Sequence, residues 1–141
     1  MNIKKIVKKL VEKYGTNNPF ELAECLGIKI LYEPLGNIRG FYQACPKNKI
    51  IHINNALDEL NRLLVCAHEL GHAMLHAKLN ILFIEKNTFY IKNKYEIEAN
   101  MFSSELLIQD DLINHYPEYF TMEQIAASIN MPKELLQLKL N

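Results

Sequence analysis

The stretch His68-Glu69-Leu70-Gly71-His72 carries the clearest chemical content of the chain. Histidines four apart on a helix share a face about 5–6 Å apart, so both imidazoles can converge on one ion at roughly 2.0–2.1 Å, a geometry that favours zinc. Glu69, one helical step from His68, can reach a metal-bound water without ligating the metal, which makes it the candidate general base. A catalytic zinc site takes three protein ligands and keeps the fourth position for water. Glu96 is the expected third ligand: it shares a helix face with Asn100, and Ala99 beside them permits close approach. Asn100 is expected to hydrogen-bond a ligand histidine. Glu98 points about 200° away from Glu96 on that helix. Only one of the two can face the metal, and Glu96 is favoured.

The elements that must position these residues can be read from periodicity. A first amphipathic helix carries Ile3, Ile6, Val7, Leu10 and Val11 and ends at Gly15, and Asn17-Asn18-Pro19 starts a second that stops near Gly27. Residues 28–32, 38–44 and 49–53 are short, β-branched or aromatic, and separated by turn residues, which predicts a small antiparallel sheet. From Ala56 to about Ala77 the period is helical, with Asn54 or Asn55 as cap and Asp58 and Glu59 complementing the dipole. Residues 78–93 read as irregular or as a short strand around Phe89–Ile91, followed by a helix over about 94–108. A helical pair over about 121–139 begins at the capping box Thr121-Met122-Glu123-Gln124 and resumes after Pro132. The expected class is α+β: one domain over 1–141, its small sheet packed on a central HExxH helix with further helices around it.

Composition narrows the function. A chain of 141 residues with 49 % hydrophobic and 23 % charged residues fits one domain that folds without staples, so a metal here would be functional. Sixteen basic residues balance sixteen acidic ones, which argues against binding nucleic acid through bulk positive potential. Residues 2–15 are lysine-rich, whereas residues 96–134 hold eight acids against Lys133 alone, most simply a solvated face. Cys25, Cys45 and Cys66 show no CxxC spacing, so a reducing cytoplasm is expected, and no apolar run approaches the length of a membrane span.

The HExxH segment extended to Ala73-Met74-Leu75-His76, together with Glu96-x-x-Ala99-Asn100-x-Phe102 and Glu105-Leu106-Leu107, resembles the ImmA/IrrE family of zinc metallopeptidases, a compact gluzincin-like branch. Asn37-Ile38-Arg39-Gly40-Phe41-Tyr42 adds a looser match. The resemblance implies His68, His72 and Glu96 as ligands, Glu69 as general base, and a protein substrate, a helix-turn-helix repressor of a mobile element or stress circuit. It differs in Phe102-Ser103, where many relatives have Phe-Ala, and in Leu106-Leu107-Ile108-Gln109, where they close with Leu-Leu-x-Pro. The alternative is a non-catalytic anti-repressor that retains the metal site. Candidates for the oxyanion donor are His76, Tyr90, Tyr95 and His115, and residues 38–44 are the candidate edge for an extended substrate.

Other residues read more simply. His76 is expected at a helix end favoured by the dipole, and His52, alternating with Ile51 and Ile53, on the opposite side of its strand. Cys66 reads as a buried small hydrophobe, and Phe41 and Tyr42 as core. The segment Ala126-Ala127-Ser128-Ile129-Asn130 looks like part of a helix-turn-helix, but its acidic surroundings argue against DNA binding.

Overall fold

Asn2 starts the first helix by accepting a 3.1 Å hydrogen bond from the Lys5 amide, and Gly15 ends it in the left-handed conformation, φ 71°. Between them α1 (Ile3–Tyr14) buries Ile3, Val7 and Leu10, one face of the helix. Asn18 caps α2 (Pro19–Cys25) through the amides of Phe20 and Glu21, with Pro19 at the first helical position, where its missing N–H costs no bond. The computed structural model describes residues 1–44, 47–77 and 89–140, with 89–93 described as backbone only; Cys45 and the segment 78–88 lie outside them.

The sheet is mixed rather than antiparallel. Its strands β1 (Ile28–Glu33), β2 (Gly40–Ala44) and β3 (Lys49–Asn54) lie in the order β1-β3-β2. β1 runs parallel to β3, whereas β2 pairs with it antiparallel. Burial explains the order, because β3 holds Ile51 and Ile53, both fully buried, and takes the centre. Residues 34–39 therefore carry the chain past β3 to its far side. Asn54 pins this passage: its side-chain amide donates to the carbonyls of Gly36 (3.0 Å) and Ile38 (2.9 Å), and its backbone N–H donates to Arg39 O.

Engaged in that way, Asn54 does not cap the central helix, and neither does Asn55. The cap is Asp58, whose carboxylate accepts from the Asn61 amide at 2.9 Å, and α3 spans Glu59–Leu75. No strand forms at Phe89–Ile91, because the helix α4 (Phe89–Leu107) already begins there. A 3₁₀ turn (Leu112–His115), α5 (Met122–Ser128) with the Thr121–Gln124 capping box, and α6 (Lys133–Leu140) complete the described residues.

Leu22, Ile51, Ile53, Cys66, Leu70 and Phe102 belong to the main core, in which the sheet, α1, α2, α3 and α4 meet. A second cluster of Ile108, Ile125, Ala126, Leu135 and Leu136 seats α5 and α6, and Leu107 packs against both. A fully buried leucine or isoleucine contributes about 1.5–3 kcal/mol, so these clusters hold the elements of the site in place.

Candidate metal centre

Gly71 sets the distance between the two helices that carry the polar residues. A β-carbon at this position would stand 3.1 Å from the Ala99 carbonyl oxygen and 3.1 Å from Phe102 Cβ, so the bare glycine lets α4 lie directly against α3. The HExxH segment sits on α3 and Glu96 on α4, and the close crossing brings them together.

Glu96 reaches both histidines. His68 Nε2 lies 2.9 Å from Glu96 Oε2, and His72 Nε2 lies 3.1 Å from Oε1. Two donors on one tetrahedral ion with bonds of 2.0–2.1 Å stand roughly 3.3 Å apart, and the two imidazole–Glu96 separations fall slightly inside that value. His68, Glu69 and His72 also offer donor atoms within 4.8 Å of one another. Glu69 is the more distant carboxylate, 3.9 Å from His68 Nε2, which suits a group that acts beside a metal rather than on it. Two imidazoles and a carboxylate with a second carboxylate near by are a donor set that fits zinc.

The surroundings move the two carboxylates in opposite directions. Burial raises the pKa of Glu69, against the pull of His68 and His72. Glu96 is held well below the usual carboxylate range by its hydrogen bonds from His68 and His72. Burial pulls His68 down, but the Glu96 hydrogen bond and the charges of Glu69 and Glu96 outweigh it and leave its pKa raised.

Behind the pair, Asn100 Oδ1 lies 2.8 Å from His68 Nδ1, a partner only a ring N–H can satisfy. His76 stands at the helix end, as expected, but it has partners that helix position does not suggest. It is 5 % exposed, its Nδ1 lies 3.1 Å from His72 Nδ1, and its Nε2 lies 3.2 Å from Glu98. Burial lowers its pKa. Glu98 thus faces His76 while Glu96 faces His68 and His72. Tyr95 packs edge-on against His76, and His115 is exposed and paired with Asp111; the Tyr90 side chain lies outside the described residues.

A cavity of about 530 Å³ opens beside His68, Glu69 and Glu96. Its walls are Arg39 and Gly40 at the start of β2, Leu64 and Val65 on α3, and Leu135 and Leu138 on α6. Sequence reasoning missed Arg39 and the α6 wall as site residues; the loose match at residues 37–42 was the available signal. Tyr42 packs on the main core, but Phe41 does not: it stacks on His52 at 4.2 Å. His52 is turned away from the site and bonds Glu33 and Gln43.

Residues 23–141 match the M78 peptidase family described as IrrE N-terminal-like domain. The chain is 42 % identical over 139 residues to the uncharacterized immunity region protein 2 of Bacillus phage phi105, covering 97 % of this chain and 88 % of that protein. It is 36 % identical over 144 residues to metallopeptidase ImmA of Bacillus subtilis (strain 168), covering 99 % of this chain and 84 % of that protein.

Proposed function

The chain belongs to the ImmA/IrrE family of metallopeptidases, and from that premise we propose that it is a zinc-dependent endopeptidase that cleaves a helix-turn-helix repressor. The observation that carries the reading is the meeting of His68, His72 and Glu96 with the buried Glu69 beside them. His68, His72 and Glu96 would hold the ion. When bound, zinc polarises the scissile carbonyl and lowers the pKa of a coordinated water towards about 7.

Glu69 handles the protons. A buried carboxylate with a raised pKa is basic enough to accept a proton from water and acidic enough to return it to the leaving amine nitrogen. The Arg39–Gly40 end of β2 lines the cavity, and β2 is an edge strand, so an extended peptide can pair along it and place a side chain between Leu64, Val65, Leu135 and Leu138. The immunity-region and ImmA names of the relatives support a regulatory protein as substrate. The cytoplasm, where such a repressor works, is the proposed site of action.

The test is Glu69→Gln, assayed for cleavage of a candidate helix-turn-helix repressor. The variant is expected to bind about one zinc per chain and to lose cleavage by at least about 100-fold. Normal cleavage by Glu69→Gln ends the mechanism, and relief of repression that persists without cleavage replaces it with an anti-repressor that works by binding.

A further inference from the structure

A histidine binds zinc through Nε2 only when its proton sits on Nδ1, so a zinc site needs something behind each ring that fixes the tautomer. For His68 the Asn100 carbonyl oxygen does this directly. For His72 the group behind Nδ1 is another imidazole, His76, at 3.1 Å. Between two facing ring nitrogens one must donate and the other accept, and the pair alone does not decide which.

Glu98 decides it. Its carboxylate lies 3.2 Å from His76 Nε2 and is an acceptor, so His76 carries its proton on Nε2 and donates it to Glu98. The opposite tautomer would set a bare nitrogen against a carboxylate, with His76 5 % exposed. With Nε2 protonated, His76 Nδ1 is bare and accepts from His72 Nδ1–H, so that an ion taking the place of the His72–Glu96 hydrogen bond would meet an unprotonated His72 Nε2. The rings have little freedom to rearrange. His76 closes the C-terminus of α3, its amide donating to His72 O at 2.9 Å, and the Tyr95 ring packs edge-on against it with centroids 4.7 Å apart. We propose that Glu98 and His76 form a relay of two hydrogen bonds that fixes the proton of His72 on Nδ1 and so presents its Nε2 to the metal. Both are positioning residues, and the inference rests on the metal reading above.

The experiment uses the zinc-loaded chain labelled with ¹⁵N in its histidines. Ring-nitrogen NMR is expected to show His76 protonated on Nε2 and bare on Nδ1; a His76 protonated on Nδ1, or on both nitrogens, overturns the relay. Zinc affinity by chelator competition gives a second readout. His76→Leu and Glu98→Leu are each expected to weaken zinc by roughly 10–100-fold. His76→Asn, whose side-chain oxygen accepts from His72 Nδ1–H without help from Glu98, is expected to retain affinity and to make Glu98→Leu silent. An equal loss from Glu98→Leu in both backgrounds assigns Glu98 to packing and overturns the relay. A wild-type chain that takes up no zinc overturns the metal reading itself, an outcome distinct from zinc bound with the wrong His76 tautomer.

Discussion

Glu69 and Glu96 are the same residue type with opposite pKa shifts, and their neighbours account for it. Glu69 is buried, which penalises its charged form, whereas Glu96 accepts hydrogen bonds from two imidazoles, which favour it. One is thereby suited to trade a proton and the other to stay an anion. Similar reasoning separates two cysteines. Cys25 is exposed, while Cys66 is fully buried and burial, with the charge of Glu69, pushes its thiol up to about 12. Only a thiolate is nucleophilic, and the alkylating reagent must also reach it. With iodoacetamide at about pH 8, peptide mapping is expected to find Cys25 modified in the native protein and Cys66 modified only after denaturation. Labelling of both at similar rates under native conditions would contradict the burial of Cys66 on α3.

Among the elements, β2 depends on a single absent methyl group. A β-carbon at Gly40 would fall 2.5 Å from the His52 carbonyl oxygen and 2.5 Å from Val65 Cγ1. The carbonyl belongs to the central strand and cannot swing aside. Gly40→Ala is therefore expected to cost about 1–3 kcal/mol, read as a lower denaturation midpoint with an unchanged slope. Unaltered stability would mean that β2 does not lie so close to α3. How far the sequence discloses such elements depends on how local their causes are. The α1 stripe, the Asn18 cap, the Thr121 capping box and the HExxH spacing all act within a turn or two, and all were legible. Pairing of β1 with β3 is decided by which strand is most buried, a property of the assembled core, so the mixed order was not. The cap of α3 was misplaced because Asn54 is occupied by a loop that reaches it only in the fold. His76 was placed correctly at the end of α3, but its bond to Glu98 was missed for a similar reason: Glu98 lies on another helix, and helix position alone suggests only a dipole contact.

At the scale of the whole molecule, α6 is both a wall of the cavity and tied to the rest of the chain by charge contacts. Lys139 on α6 donates to Glu105 at 2.7 Å and to Asp110, and Lys4 of α1 approaches Asp110 at 3.5 Å, so three separate parts of the chain share one charge cluster. Within the acid-rich stretch noted in the sequence, Glu96, Glu98, Glu105, Asp110 and Glu123 thus have partners rather than forming a uniform negative face. The Lys139 side chain is 3 % exposed, and burial opposes its charge, yet the two carboxylates win and its pKa is raised above 10.5. Asp110 is lowered below 3.8, first by its bond from Lys139, although it is well exposed and correspondingly screened. A raised lysine stabilises the fold fully below its unfolded pKa and loses that contribution as pH rises through the folded value. A lowered aspartate stabilises above its unfolded pKa and loses its contribution as pH falls through the folded one. Lys139→Met, which keeps the stem and removes the charge, is expected to cost about 1–3 kcal/mol near neutral pH, because Glu105 is left largely buried without its cation. The gap between wild type and variant, followed by urea denaturation from acid to alkaline pH, should be widest between about pH 5 and 10 and narrow on both sides. A gap independent of pH would assign the loss to packing of the lysine stem and remove the charge cluster as the device that holds α6 against the site.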